Sequence, residues 1–164
     1  MKRILVPTDF SEHAEDALKV AAQIAKKNNS ELILLHMLEL PQQSNDAIMG
    51  GTSIPETMLF MKKANETLDE VASREYLDGI PVTEIVKMDK PIHGITQISK
   101  DYDADLIVMG SHGSSGVEEL LIGSNTEKVV RNSEIPVLVI KKNTPNFNAT
   151  DIVFASDFSE EAKK

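Results

Sequence analysis

The chain has no cysteine and no tryptophan, and only 4% of its residues are aromatic. The missing cysteine removes a disulfide framework, a thiolate zinc site and a thiol nucleophile together. The shortage of aromatics means that any core is aliphatic. Apolar runs are short too, and none approaches the roughly 18 residues needed to span a bilayer. The opening MKRILVPTDF lacks the apolar stretch and small-residue cleavage site of a secretory signal. Positive charge is in deficit: 17 Lys and Arg face 26 Asp and Glu, a formal net charge of −9. That balance argues against nucleic acid or an anionic membrane as a partner. These absences together lead us to expect a cytoplasmic protein. An acidic chain can still hold phosphate locally, because backbone N–H groups at a helix start supply positive potential without Lys or Arg.

What is present is a regular alternation. Five apolar runs read as strands: 3–7 (RILVP), 31–38 (ELILLHML), 82–88 (VTEIVKM), 104–110 (ADLIVMG) and 137–142 (VLVIKK). Their near-continuous apolar character suits strands buried on both faces. Helical periodicity fills the gaps. Ala14, Ala17, Leu18, Ala21, Ile24 and Ala25 recur at three and four behind Ser11, a good N-cap. Met58, Met61, Ala64, Leu68, Val71 and Ala72 do the same, with the methionines read as core filler. Ile92, Ile95 and Ile98 mark a third helix. Ser53 with Glu56, and Ser124 with Glu127, are spaced as capping boxes. Residues 39–53 read as a polar loop. The alternation predicts an α/β fold: an open, doubly wound parallel sheet of five strands with helices on both faces, and the order we expect for it is 3-2-1-4-5.

At 164 residues the chain suits one domain with something appended. We expect that domain over 1–142, a polar linker over 143–150, and a further element over 151–164. The last segment, DIVFASDFSEEAKK, echoes RILVPTDFSEHAED near the start. Asp9-Phe10-Ser11-Glu12 and Asp157-Phe158-Ser159-Glu160 are identical at a constant offset, 157 − 9 = 148. Such a repeat reads as the first strand and helix start of a truncated second copy.

The stretch 110–125, GSHGSSGVEELLIGSN, holds four glycines and four serines. In order 3-2-1-4-5, strands one and four are neighbours where the strand order reverses. Ligands of open α/β sheets bind there, outside the carboxyl ends of the strands. PTDFS and GSHG would line one crevice. Gly110 and Gly113 would allow close backbone approach, and Gly123 and Ser124 would open a helix toward an anion.

Gly110, Gly113, Gly123 and Ser124, together with VPTDFSEHAEDAL, LLHML, DADLIVMGSHG, GSNTEKVV and PVLVIKK, closely resemble the universal stress protein family, in its ATP-binding form. The resemblance covers residues 2–142. It implies ATP, with Mg²⁺ as companion. It places Asp9 near the adenosine, beside Pro7 and Thr8, and has Met37 contact adenine through its backbone. Met109, Gly110, His112 and Gly113 would approach the ribose and phosphates. Gly123, Ser124, Asn125 and Thr126 would hold the phosphates. It also implies a homodimer, or tandem-domain pairing, through Val137–Ile140.

Three departures from the family pattern stand out. Residues 114–122 hold no Lys or Arg and add Glu118 and Glu119. Met88 stands where a glycine is usual and would crowd the pocket, while Lys90 could reach a phosphate. Ala155 and Ser156 replace Pro7 and Thr8 in the repeat. Of the other histidines, His36 reads as a satisfied strand-end residue, and His13 and His93 as solvated. Three functional classes follow: a nucleotide-dependent regulator acting by binding, a slow ATPase, and a dimerisation scaffold with an empty crevice. No Walker lysine and no evident base accompany the glycines, so any hydrolysis should be slow.

Overall fold

The structure, a computed structural model, describes residues 1–39, 54–112 and 122–153. Five strands, β1 (Arg3–Thr8), β2 (Glu31–Leu38), β3 (Val82–Met88), β4 (Leu106–Gly110) and β5 (Val137–Ile140), lie parallel in one sheet. Their order is β3-β2-β1-β4-β5, as expected. Four helices join them: α1 (Glu12–Asn28), α2 (Ile54–Ala72), α3 (Pro91–Asp101) and α4 (Ser124–Asn132).

The period-two alternation of the strands sorts the core into two layers. Ile4, Val6, Leu32, Leu34 and Val108 pack with the alanine face of α1 and with Leu68 and Val71 of α2. Leu5, Ile33, Leu35, Ile107 and Met109 point the other way, onto Ile95 and Ile98 of α3 and Val129 of α4. Helices on both faces explain why β1 and β2 are apolar without a break, whereas the edge strands β3 and β5 are only half-buried. Ser11 caps α1 as expected, its Oγ accepting the Ala14 N–H at 3.3 Å. Asn29 closes that helix in the left-handed conformation, φ 51°.

Four expectations are corrected. Pro7 does not end the first strand: β1 runs on to Thr8, with Pro7 in register with Leu35. The β1–β4 ladder covers only Ile4 and Leu5, so Pro7 sits where one side of the strand carries no pairing and its missing N–H costs nothing. Met58 is not core filler; it is 68% exposed, and the buried face of α2 begins at Ala64. The Ser124–Glu127 capping box does not form. Gly123 is the N-cap, with no side-chain hydrogen bond, and Glu127 pairs with Arg131 at 3.0 Å. Lys141 and Lys142 lie beyond the last strand. The other proposed box depends on Ser53, which lies outside the described residues.

The segment after β5 does not hang free at its start. Gln23 of α1 donates to the Thr144 carbonyl at 3.2 Å and accepts the Phe147 N–H at 2.8 Å. The Phe147 ring packs against the core layer beneath α1. Further on, Ile152 and Val153 are 85% and 94% exposed. The repeated DFSE of 157–160 lies outside the described residues.

Candidate nucleotide site

Beyond Leu5 and Ile107, β1 pairs only with β2 and β4 only with β5. The carboxyl ends of the two central strands therefore part, and a cavity of about 330 Å³ opens between them. Pro7, Thr8, Asp9, Met37, Met109, Gly110, His112, Gly123, Ser124, Asn125 and Thr126 all line it. Gly113, and the acidic Glu118 and Glu119, lie outside the described residues. Ala14, Leu35, Glu39, Pro91 and Ile95 line the cavity as well and were not foreseen. Their signal was positional: Leu35 and Glu39 flank the end of β2, and Pro91 opens the helix after β3. Met88 and Lys90 are not among the lining residues of the cavity.

The walls differ in character. β2 and α3 contribute Leu35, Met37, Pro91 and Ile95, an apolar surface. The end of β4 and the start of α4 contribute His112 and Gly123 to Thr126, a polar one. The N-cap of α4 is Gly123, which has no side chain, the first-turn N–H groups have no intrahelical partner, and the positive end of the helix dipole stands at the cavity. None of the described lining residues is Lys or Arg, while Asp9 and Glu39 are acidic. Among the described residues, no group of three His, Cys, Asp or Glu is placed to hold a metal ion.

The turn from β1 into α1 is tightly specified. Thr8 Oγ1 accepts the Phe10 N–H and Asp9 Oδ1 accepts the Ser11 N–H, each at 3.1 Å. These two local bonds carry Phe10 into the left-handed region, φ 64°, which a non-glycine residue adopts only when its surroundings hold it there. The Phe10 ring stacks on His36 at 4.3 Å, and His36 Nδ1 donates to the Thr8 carbonyl at 2.9 Å. His36 is thus satisfied, as expected. Asp9 serves the turn and remains exposed at the cavity rim.

The joint between β4 and α4 is stitched across the sheet end. Ser111 N–H donates to the Ile140 carbonyl at 2.9 Å, and Gly123 N–H to the Ser111 carbonyl at 2.8 Å. The buried Thr126 hydroxyl donates to the Gly110 carbonyl at 2.9 Å. Its proton is therefore committed to the fold rather than to a phosphate. Gly110 is likewise required by packing rather than by ligand approach alone: a Cβ there would lie 2.8 Å from the backbone C and O of His13.

His112 meets Ser111 Oγ through Nδ1 at 3.0 Å and lies 5.5 Å, ring to ring, from His13. Its Nε2 is a buried side-chain polar atom with no hydrogen-bond partner among the described residues. Such a nitrogen is costly unless a ligand or water completes it. His93 sits outside the cavity lining, 2.5 Å from Asp89. That contact, then the Lys90 N–H, holds the Asp89 carboxyl below the usual aspartate range.

A doubly wound parallel sheet with a cavity at its switch point defines a Rossmann-like α/β domain. The chain belongs to the universal stress protein family, whose family model matches residues 1–141. It is 34% identical over 154 residues to universal stress protein MJ0577 of Methanocaldococcus jannaschii, covering 86% of this chain and 95% of that one. The solved structure of MJ0577 superposes with a TM-score of 0.71 over 85% of this chain and 94% of that chain. Universal stress protein YxiE of Bacillus subtilis is 28% identical over 145 residues, covering 85% of this chain and 98% of the relative. A universal stress protein from Archaeoglobus fulgidus, at 27% identity and a TM-score of 0.55, matches 87% of this chain, which spans only 44% of that longer chain.

Proposed function

We propose that this protein binds ATP in the cavity between β1 and β4 and works as a nucleotide-dependent regulator in a stress response, by binding rather than fast turnover. The observation that carries the reading is the two-sided cavity at the switch point: an apolar wall from β2 and α3, facing the N-terminus of α4. The apolar wall suits a base, and the helix start suits phosphates. The orphaned Nε2 of His112 offers one more hydrogen bond to a bound group. With Asp9 and Glu39 present and no cation among the described lining residues, Mg²⁺ bound to the phosphates would offset the local negative charge. The same lack of a cation argues for binding over hydrolysis, since a developing γ-phosphate charge would have little to stabilise it. Universal stress proteins of this fold have been solved with cAMP and with dAMP; at 23% and 22% identity they lend this chain the fold and not the ligand.

Residues 151–164 we read as the opening of a second copy, supported by the repeat at an offset of 157 − 9 = 148. Pairing with another copy through the free edge of β5 remains part of the same proposal. Titration calorimetry with ATP and Mg²⁺, on protein unfolded and refolded to remove carried nucleotide, tests the main reading. Micromolar binding without phosphate release is the expected result. Absence of binding would overturn it in favour of a scaffold, and turnover at rates on the order of 1 per second or faster would make it an enzyme.

A further inference from the structure

We infer that Gly94 of α3 is a positioning residue that sets the depth of the base end of the cavity through Met37, and so selects a purine over a pyrimidine. The inference rests on the nucleotide reading above. Gly94 stands inside a helix, where alanine would be the better helix former. It is buried, and its N–H donates to the Lys90 carbonyl at 3.0 Å as an ordinary helical residue. Nothing in its backbone calls for glycine: its φ is not in the left-handed region. What calls for glycine is Met37. An added Cβ at position 94 would lie 2.1 Å from Met37 Cε and 2.7 Å from Sδ, while Asp89 Cβ is at an ordinary 3.6 Å.

Met37 therefore lays its thioether end into the space that the glycine leaves on α3. The same side chain lines the cavity, together with Pro91 and Ile95 on either side of Gly94 in that helix. Ile95 is 3% exposed and packed into the core, so it leaves Met37 no room on its side, while the cavity that Met37 lines is open. A methyl at position 94 pushes the end of a flexible, unbranched side chain out of its recess and into that space. The apolar end then shortens. The two-ring base of ATP loses room, while the single ring of CTP still fits. The protein tolerates the change because the displaced atoms are a side-chain end and not backbone.

The test is a double-mutant cycle on Gly94→Ala and Met37→Ala, with ATP·Mg²⁺ and CTP·Mg²⁺ titrated by calorimetry and folding checked by thermal melting. Gly94→Ala should weaken ATP binding by about fivefold or more and leave CTP within about twofold, so the ATP-to-CTP preference falls. In the Met37→Ala background the methyl at 94 should change neither affinity, and the double variant should melt cooperatively even if Gly94→Ala alone does not fold. Equal weakening of ATP and CTP, or weakening that persists without Met37, would show a general disturbance of α3 and overturn the inference. Wild-type ATP affinity in Gly94→Ala would overturn it alone. If the wild-type protein binds neither nucleotide, the nucleotide reading falls and takes this inference with it.

Discussion

Ser124→Asp separates the phosphate role of α4 from its structural role, because the two respond with opposite sign. Ser124 is the exposed first residue of α4, and the N-cap before it is Gly123, so Ser124 is not the capping residue. A carboxylate in the first turn of a helix interacts favourably with the dipole by about 0.3–1 kcal/mol. For a chain of this size that raises the melting temperature by roughly 1–4 °C. A phosphate held at the same helix start would stand about 5 Å from the new charge. The repulsion per unit charge is then about 0.8 kcal/mol at the dielectric of water and about 3.3 kcal/mol at an effective value near 20. These limits correspond to roughly fourfold and a few hundredfold in affinity. The cavity rim is partly solvated, so a loss of about tenfold or more is expected. ATP titration and a melting curve on the same preparation provide the assay, with Ser124→Ala as the uncharged control. A more stable protein that binds ATP less tightly is the expected outcome. Unchanged affinity in a stable Ser124→Asp protein would refute the placement of phosphate at α4, since no loss of fold would be available as an excuse.

Gly110→Ala should lower stability by about 1–3 kcal/mol in urea unfolding, because the new Cβ meets the backbone of His13, which cannot swing aside. Asp105 accepts the Lys2 N–H at 2.5 Å and the Arg3 N–H at 3.0 Å, bonds that hold its carboxyl below the usual aspartate range. A lowered native pKa adds stability that is present above the ordinary value near 3.9 and is lost as pH falls through the native one. Melting curves between about pH 5 and pH 2 should therefore show a steeper acid loss in the wild type than in Asp105→Asn. Removing 143–164 should cost about 1 kcal/mol, because it takes away the half-buried Phe147 and the partners of Gln23.

The features legible in the sequence were those that local chemistry decides. Continuous apolar runs flagged the strands, the alanine face and Ser11 gave α1 and its cap, and the βα alternation gave a parallel sheet with helices on both faces. The switch-point rule then brought PTDFS and the 110–125 stretch to one place, which is why every described site candidate lines the cavity. The misreadings concern partners distant in sequence. Pro7 continues β1 only because β4 has already turned away. Thr126 looked like a donor to a ligand, but its proton goes to a carbonyl 16 residues earlier. Met88 is adjacent in sequence to the site and absent from its lining. The polar look of 143–150 concealed Phe147, whose docking depends on Gln23 more than a hundred residues away.

Fold and site share residues here, and that decides which substitutions are informative. Gly110 and Thr126 face the cavity, yet one makes room for α1 and the other ties α4 to β4. Lost binding on changing either says only that the joint has opened. Thr8 and Asp9 form the turn into α1 in the same way, so Asp9→Ala removes a turn bond along with any ligand contact. Ser124 and Asn125 are different: both are exposed, and neither side chain caps the helix. The Nε2 of His112 is different again, a buried polar atom left incomplete by the fold. Among the described residues that nitrogen has no partner and stands beside the start of α4, so a group that accepted from both would complete what these residues leave open.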